Sequence, residues 1–403
     1  WYLQFYFRDI TFFLDIPIEE SKYYLKIFII FFLMICAGFL TYICQNQKII
    51  NLLNFFLIFL IALNLFSNIS FENKSSNEKT SKIESIFTID EKHQINEGNI
   101  YFFLMDEMTS YEKYKEFGLD IKKYLNEFED NGYNYILNSK SSYNGSQYTI
   151  GSIFNMNYYK TNINLNENYF FPHSLYNKKK PELLKILQNI GYEFWYLDNQ
   201  FRKCYEDKFV NCISTDIRNN YFYKILYDEP IRLFFYNTFL SSFLHKIKFS
   251  NSQKYFANTE IDRFKLFLER NNNIINKKNN FFFIHNMSPH YPFRDQNCNI
   301  LQDAFNATIK NYLSSSQCAI EQIKDTIDLI SEIDENSSVI FQADHGWSLF
   351  NNDGKFNIEG FKVFNMIKLS NKCNIINNND ENFNSIETIR LLMSCIVKKE
   401  YNV

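Results

Sequence analysis

Apolar and polar positions divide the chain into three regions. Two apolar runs, IFIIFFLMICAGFLTYIC (27–44) and IINLLNFFLIFLIALNLF (49–66), carry no charged residue. A helix of roughly 20 apolar residues crosses a hydrocarbon core, and charge-free runs of this length are rare in soluble folds. Residues 27–66 are therefore read as two transmembrane helices, joined by QNQK into a tight hairpin. Asn51, Asn54 and Asn64 interrupt the second run with amides that need partners in lipid. Residues 67–98 turn polar, rich in Ser, Asn, Lys and Glu, which marks a linker with little to bury. The chain opens on Trp1 rather than Met, so the N-terminal segment 1–26 is read as processed or truncated.

From Asn99 to Val403 the pattern changes to short apolar blocks alternating with amphipathic ones. NIYFFLM predicts a buried strand, LDIKKYLNEFEDNGY an amphipathic helix stopping at Gly132, and NYILN a further strand. KKPELLKILQNIGYEFWYL repeats the order helix, glycine, strand. NNFFFIHN and NSSVIFQADHG add two buried strands, the second preceded by the helix-like CAIEQIKDTIDLISEID. Strands that read as continuous apolar runs and alternate with helices imply an α/β fold, a mostly parallel sheet covered by helices on both faces.

Charge and cysteines narrow the setting. A net charge of -3 over 403 residues offers no electrostatic footprint for nucleic acid. Six of the eight cysteines lie outside the apolar runs and fall into near pairs: Cys204 with Cys212, Cys298 with Cys318, Cys373 with Cys395. None has the CxxC spacing of a zinc site, and near pairs suit disulfides in an oxidising compartment. Lys48 between the apolar runs fits a cytoplasmic loop. The large domain is thus expected on the extracytoplasmic, periplasmic side of the cell membrane.

In a doubly wound sheet, ligands bind at the carboxyl ends of the strands. NIYFFLM runs into Asp106 and Glu107, FFFI into His285 with His290 five residues on, and SVIFQA into Asp344, His345 and Gly346. Only six histidines exist, and three of them sit in these motifs. Carboxylates with an imidazole make a site for one divalent cation, with Zn²⁺, Mn²⁺, Mg²⁺ and Ca²⁺ all open. Forty residues after Asp106 stands Ser146, within YNGSQYTIGSIFNMNYY, a helix start crowded with hydroxyls. Helix capping is the competing use of such hydroxyls.

The order of a strand ending in Asp106, a hydroxyl-bearing helix start, HNMSPHYPF and then ADHG resembles the alkaline phosphatase superfamily, in particular its sulfatase-like membrane branch of phosphoethanolamine and phosphoglycerol (lipoteichoic acid) transferases. The resemblance runs from about Asn99 to Arg390. It implies Asp106, Asp344 and His345 as metal ligands, and Ser146 as the nucleophile that also touches the metal, with Thr149 in reserve. It implies that His285 and His290 contact the transferred group or assist the leaving group. No Cys or Ser begins the C/S-x-P-x-R motif from which sulfatases make formylglycine. The expected enzyme is therefore a membrane-anchored phosphotransferase with a covalent Ser intermediate. Its expected partners are a membrane lipid donor and an envelope glycan or glycolipid acceptor, without nucleic acid. The alternatives are a sulfate or phosphate ester hydrolase and an inactive family member.

Overall fold

The computed structural model describes residues 98–143, 145–158, 180–197, 204, 210–213, 258–277, 279–304, 306–347, 361–370 and 383–397. The N-terminal segment, the two expected transmembrane helices, the linker up to residue 97 and Cys373 lie outside the described residues. Among the described residues no helix is long and apolar enough to cross a membrane.

Among the described residues, seven strands form one sheet. In chain order they are β1 (Ile100–Met105), β2 (Asn134–Tyr135), β3 (Glu193–Leu197), β4 (Val210–Ile213), β5 (Asn280–Asn286), β6 (Ser338–Ala343) and β7 (Asn365–Lys368). Their spatial order is β2-β7-β6-β1-β5-β3-β4. The pairs β1·β5, β1·β6, β3·β5 and β3·β4 are parallel, whereas β7 runs antiparallel to both β6 and β2. The sheet is thus parallel through its centre, with an antiparallel edge.

Strand β1, IYFFLM, is buried at every position because both faces of the sheet are covered. Tyr101, Phe103 and Met105 point into one core, shared with α5 (Glu260–Arg270) and α7 (Ile309–Ile333) and with α2 (Lys122–Asp130). Ile100, Phe102 and Leu104 point into the other, shared with α3 (Ser146–Asn155), α4 (Glu182–Asn189) and α8 (Ser385–Val397). The two short helices are α1 (Tyr111–Glu116) and α6 (Asn272–Asn276). Aromatic rings lock the strands in register across the sheet. Phe103 stacks on Phe341 at 4.7 Å and Tyr101 on Phe282 at 5.1 Å; such pairs contribute about 0.5–1.5 kcal/mol beyond area burial.

Several sequence expectations meet the structure closely. Helix α2 ends before Gly132, and α4 before Gly191, whose φ values of +83° and +86° favour glycine. NYILN shrinks to the two residues of β2, because Asn138 adopts a left-handed φ of +58° and turns the chain away, leaving Leu137 60% exposed. Helix α7 begins at Ile309, well before the segment CAIEQIKDTIDLISEID, with the Thr308 side chain accepting from the Asn311 N–H at its start. The disulfides Cys204–Cys212 and Cys298–Cys318 are formed as expected, and Cys395 is disulfide-bonded.

Candidate active site

The register of three strands sets the site. Met105 of β1 lies opposite both Asn286 of β5 and Ala343 of β6. The ladder continues one residue past these strand ends, with the Asp106 N–H donating to the Asn286 carbonyl at 2.9 Å and the Asp344 N–H to the Met105 carbonyl at 3.2 Å. Asp106 and Asp344 therefore emerge side by side at the carboxyl edge, and His285 stands one row back on β5, opposite Leu104.

Asp106, Asp344 and His345 are all buried, and each offers one ligand atom within 4.8 Å of the others. His345 Nε2 lies 3.6 Å from Asp106 Oδ1 and 3.8 Å from Asp344 Oδ2, while His285 Nε2 lies 3.9 Å from that same Asp344 oxygen. Asp344 Oδ1 is occupied, accepting the N–H groups of His345 at 2.7 Å and Glu107 at 3.2 Å. Asp344 Oδ2 is buried and holds no short hydrogen bond, and the Ser146 hydroxyl lies close enough to the carboxylate to favour its charge. A buried carboxylate oxygen left in this state costs free energy unless a cation offsets it, so two carboxylates and an imidazole fit a divalent cation.

Electrostatics follow the same arrangement. Burial pushes the Asp344 carboxyl up, but the imidazoles of His345 and then His285 outweigh it and hold the group below its ordinary value. Burial lowers His345, while the carboxylates of Asp344 and Glu107 raise it above its ordinary value. Burial, reinforced by Asp344, pushes the Glu107 carboxyl up to about 7 against the pull of His345. His345 Nδ1 lies 3.0 Å from the Gly346 carbonyl. In the neutral ring that contact places the proton on Nδ1 and leaves the Nε2 lone pair facing the carboxylates.

Ser146 is the first residue of α3, and its Oγ lies 3.3 Å from His345 Nε2. The N-cap is Gly145, and no side chain caps the helix, so Ser146 is not held in a capping bond. Gly145 itself is extended, with φ of -155°, a conformation open to any residue. Thr149 turns the other way. It is buried, with Oγ1 donating to the Tyr143 carbonyl at 3.2 Å and lying 3.1 Å from Ser141 Oγ. Ser141 Oγ in turn contacts the Tyr143 and Asp344 carbonyls, tying the turn before α3 to the end of β6.

His290 lies in the loop after β5, its Nδ1 3.0 Å from the Tyr291 carbonyl, between the cis peptides Ser288–Pro289 and Tyr291–Pro292. Burial pushes its imidazole down to about 4, against that carbonyl, with His345 and Asp344 close enough to act on it. The structure thus brings together Asp106, Ser146, His285, Asp344 and His345, with His290 within electrostatic reach. At the level of sequence Glu107 has no role beyond its strand-end position, and Ser141, Tyr312 and Trp347 have none. Glu107 and Trp347 flank the quoted motifs directly. Ser141 and Tyr312 carry no sequence signal, since only the fold brings them to the site.

Fold and site together fit an enzyme of the sulfatase superfamily. Within it, this chain belongs to the sulfatase family, whose model matches residues 99–367. A search of curated protein sequences found no match. Among solved structures, the chain is similar to the integral membrane protein lipooligosaccharide phosphoethanolamine transferase A from Neisseria meningitidis, with 11% identity and a TM-score of 0.49 over 75% of this chain and 55% of that one. It is also similar to the C-terminal periplasmic domain of EcEptC from Escherichia coli in complex with Zn, with 11% identity and a TM-score of 0.44 over 74% of this chain and 82% of that one. A third is the lipoteichoic acid synthase LtaP from Listeria monocytogenes, with 12% identity and a TM-score of 0.42 over 74% of this chain and 72% of that one. The chain thus spans about half the length of the meningococcal transferase, 55%.

Proposed function

We propose that this protein is a membrane-anchored, metal-dependent phosphotransferase that passes a phospho-substituent through a covalent intermediate on Ser146. The observation that carries the reading is the position of an uncapped hydroxyl, Ser146 Oγ, 3.3 Å from His345 Nε2 at the edge of the Asp106–Asp344–His345 cluster. A free serine is a weak nucleophile at neutral pH. A divalent cation held by Asp106, Asp344 and His345 lowers the pKa of an adjacent hydroxyl and neutralises charge on phosphoryl oxygens. The start of α3 adds backbone N–H groups and the favourable end of the helix dipole for an anionic group.

Because no formylglycine motif is present, the nucleophile is a plain hydroxyl, which favours phosphoryl over sulfuryl chemistry. In the first transfer Ser146 Oγ gives up its proton as the Oγ–P bond forms, the donor's ester P–O bond breaks, and the leaving oxygen takes up a proton. In the second, the acceptor hydroxyl loses a proton as its oxygen bonds to phosphorus, the Oγ–P bond breaks, and Oγ takes up a proton again. His285 and His290 are the residues proposed to contact the transferred group and carry these protons. The donor class is a phospholipid with a phosphoethanolamine- or phosphoglycerol-type head group, and the acceptor an envelope glycan or glycolipid. The apolar runs at 27–44 and 49–66 support this choice, since a membrane hairpin keeps the catalytic domain near lipid head groups.

Mass spectrometry of the full chain after incubation with phosphatidylethanolamine or phosphatidylglycerol vesicles tests the reading. The expected result is a phospho-adduct on the peptide containing Ser146, discharged by a glycan acceptor. An adduct located elsewhere, or free phosphate or sulfate released with no acceptor modified, overturns the transferase reading.

A further inference from the structure

We infer that Tyr312 of α7 is a positioning residue for the metal-binding cluster, acting through the segments that follow β1 and β6. The inference rests on the metal-dependent reading of the site above. Tyr312 is completely buried. Its hydroxyl donates to the Glu107 carbonyl at 2.7 Å and accepts from the Thr109 N–H at 3.2 Å. One phenol therefore satisfies two peptide groups in the turn that leaves Asp106.

That turn needs holding. Glu107 has a φ of +63°, in the left-handed region that side chains with a Cβ rarely adopt. Such a conformation persists only where the surroundings over-determine it. The Glu107 peptide is fixed from both ends, its carbonyl by Tyr312 and its N–H by Asp344 Oδ1 at 3.2 Å. Removing the hydroxyl frees the carbonyl end, and the strained residue can relax away from Asp344.

The same side chain reaches the second ligand segment through its ring. Tyr312 stacks on Trp347 at 4.4 Å with an interplanar angle of 4°, and Trp347 stands two residues beyond His345. Phe117 closes the other side of Trp347 edge-on at 5.9 Å. The contacts form a closed circuit: Tyr312 to Glu107, Glu107 to Asp344, then along the chain through His345 to Trp347 and back to Tyr312. Ligands in such a circuit keep their spacing because neither segment can shift alone, the role that outer partners of metal ligands play generally.

Zn²⁺ affinity of the purified full chain, measured by competition with a chromogenic chelator, tests this for wild type, Tyr312→Phe and Tyr101→Phe. Tyr101 is the control. It is equally buried, and its hydroxyl bonds Asp334 at 2.9 Å, at the end of β1 away from Asp106. The expected result is about tenfold or greater weakening in Tyr312→Phe, with Tyr101→Phe equal to wild type. Equal affinities in all three proteins overturn the inference, as does equal weakening in both variants, which would tie affinity to stability alone. A wild-type chain that takes up no Zn²⁺ or Mn²⁺ overturns the metal-dependent reading itself, and this inference with it.

Discussion

Arg390 donates from Nε to the Met156 carbonyl at 2.9 Å, so α8 closes the C-terminal end of the helix that Ser146 begins. Met156 ends α3 in a left-handed conformation, φ +49°, and Arg390 also pairs with Glu387 at 3.0 Å in a buried site. Replacing Arg390 with Ala leaves Glu387 buried without this partner, which costs about 3–5 kcal/mol. Chemical denaturation of Arg390→Ala against wild type is expected to show that loss, and Glu387→Gln a smaller one. Equal stability of Arg390→Ala and wild type would contradict the arrangement.

Ser146 and Thr149 separate by function and by stability. Ser146→Ala is expected to fold normally and to lose at least about a thousandfold in turnover, because it removes the oxygen proposed to react. Thr149→Ala is expected to keep its chemistry and lose about 1–2 kcal/mol, because its buried hydroxyl serves the Tyr143 carbonyl. Steady-state rates and denaturation midpoints of the two variants are the measurement. A reversal of the two phenotypes assigns the nucleophile to Thr149.

Asp344 is the proposed ligand whose replacement separates binding from folding most cleanly. Wild type is expected to melt lower after dialysis against a chelator, since a ligand held at about 100 times its Kd stabilises by about 2.7 kcal/mol. Asp344→Asn keeps a side-chain oxygen for the N–H groups of His345 and Glu107 but loses the charge of the buried Oδ2. Its melting temperature should be insensitive to the chelator. A chelator response as large as that of wild type would remove Asp344 from the ligand set.

His290 predicts a pH dependence in the metal-free protein. Its folded pKa of about 4 lies below the ordinary 6.5, so the fold favours the neutral ring. Between those values the unfolded chain binds the proton and the folded one does not, hence the His290 contribution is complete above pH 6.5 and is lost as pH falls towards 4. His290→Gln should flatten this part of the stability profile followed by denaturation at fixed pH steps. An unchanged profile would show that His290 does not titrate in this way.

Much of this was legible in the sequence, for identifiable reasons. FFFI and SVIF read as buried strands because they are apolar at every position, and strands covered on both faces must be. Their end residues come together at one edge of the sheet because parallel strands end together. Other elements escaped notice. Strand β4 is short and half polar, carrying Asn211 and Cys212 in four residues. The antiparallel direction of β7 is set by tertiary pairing with β6, which local composition does not encode. Tyr312 lies on a helix that begins far from either strand-end motif, and its hydrogen bonds to Glu107 and Thr109 span more than 200 residues of chain, so only packing brings it to the site.

Met105 opposite both Asn286 and Ala343 has a consequence for how the protein tolerates change. Successive side chains on a strand alternate between faces, so a one-residue slip in β1 or β6 would exchange the two cores and carry Asp106 or Asp344 out of alignment. Segments between the strands are under no such restriction, because their length leaves the strand ends where they are. Insertions and deletions can therefore accumulate in those connections while the ladder stays fixed. The spacing of Asp106 from Asp344 is inherited with the register of three short strands and is independent of the number of residues between them.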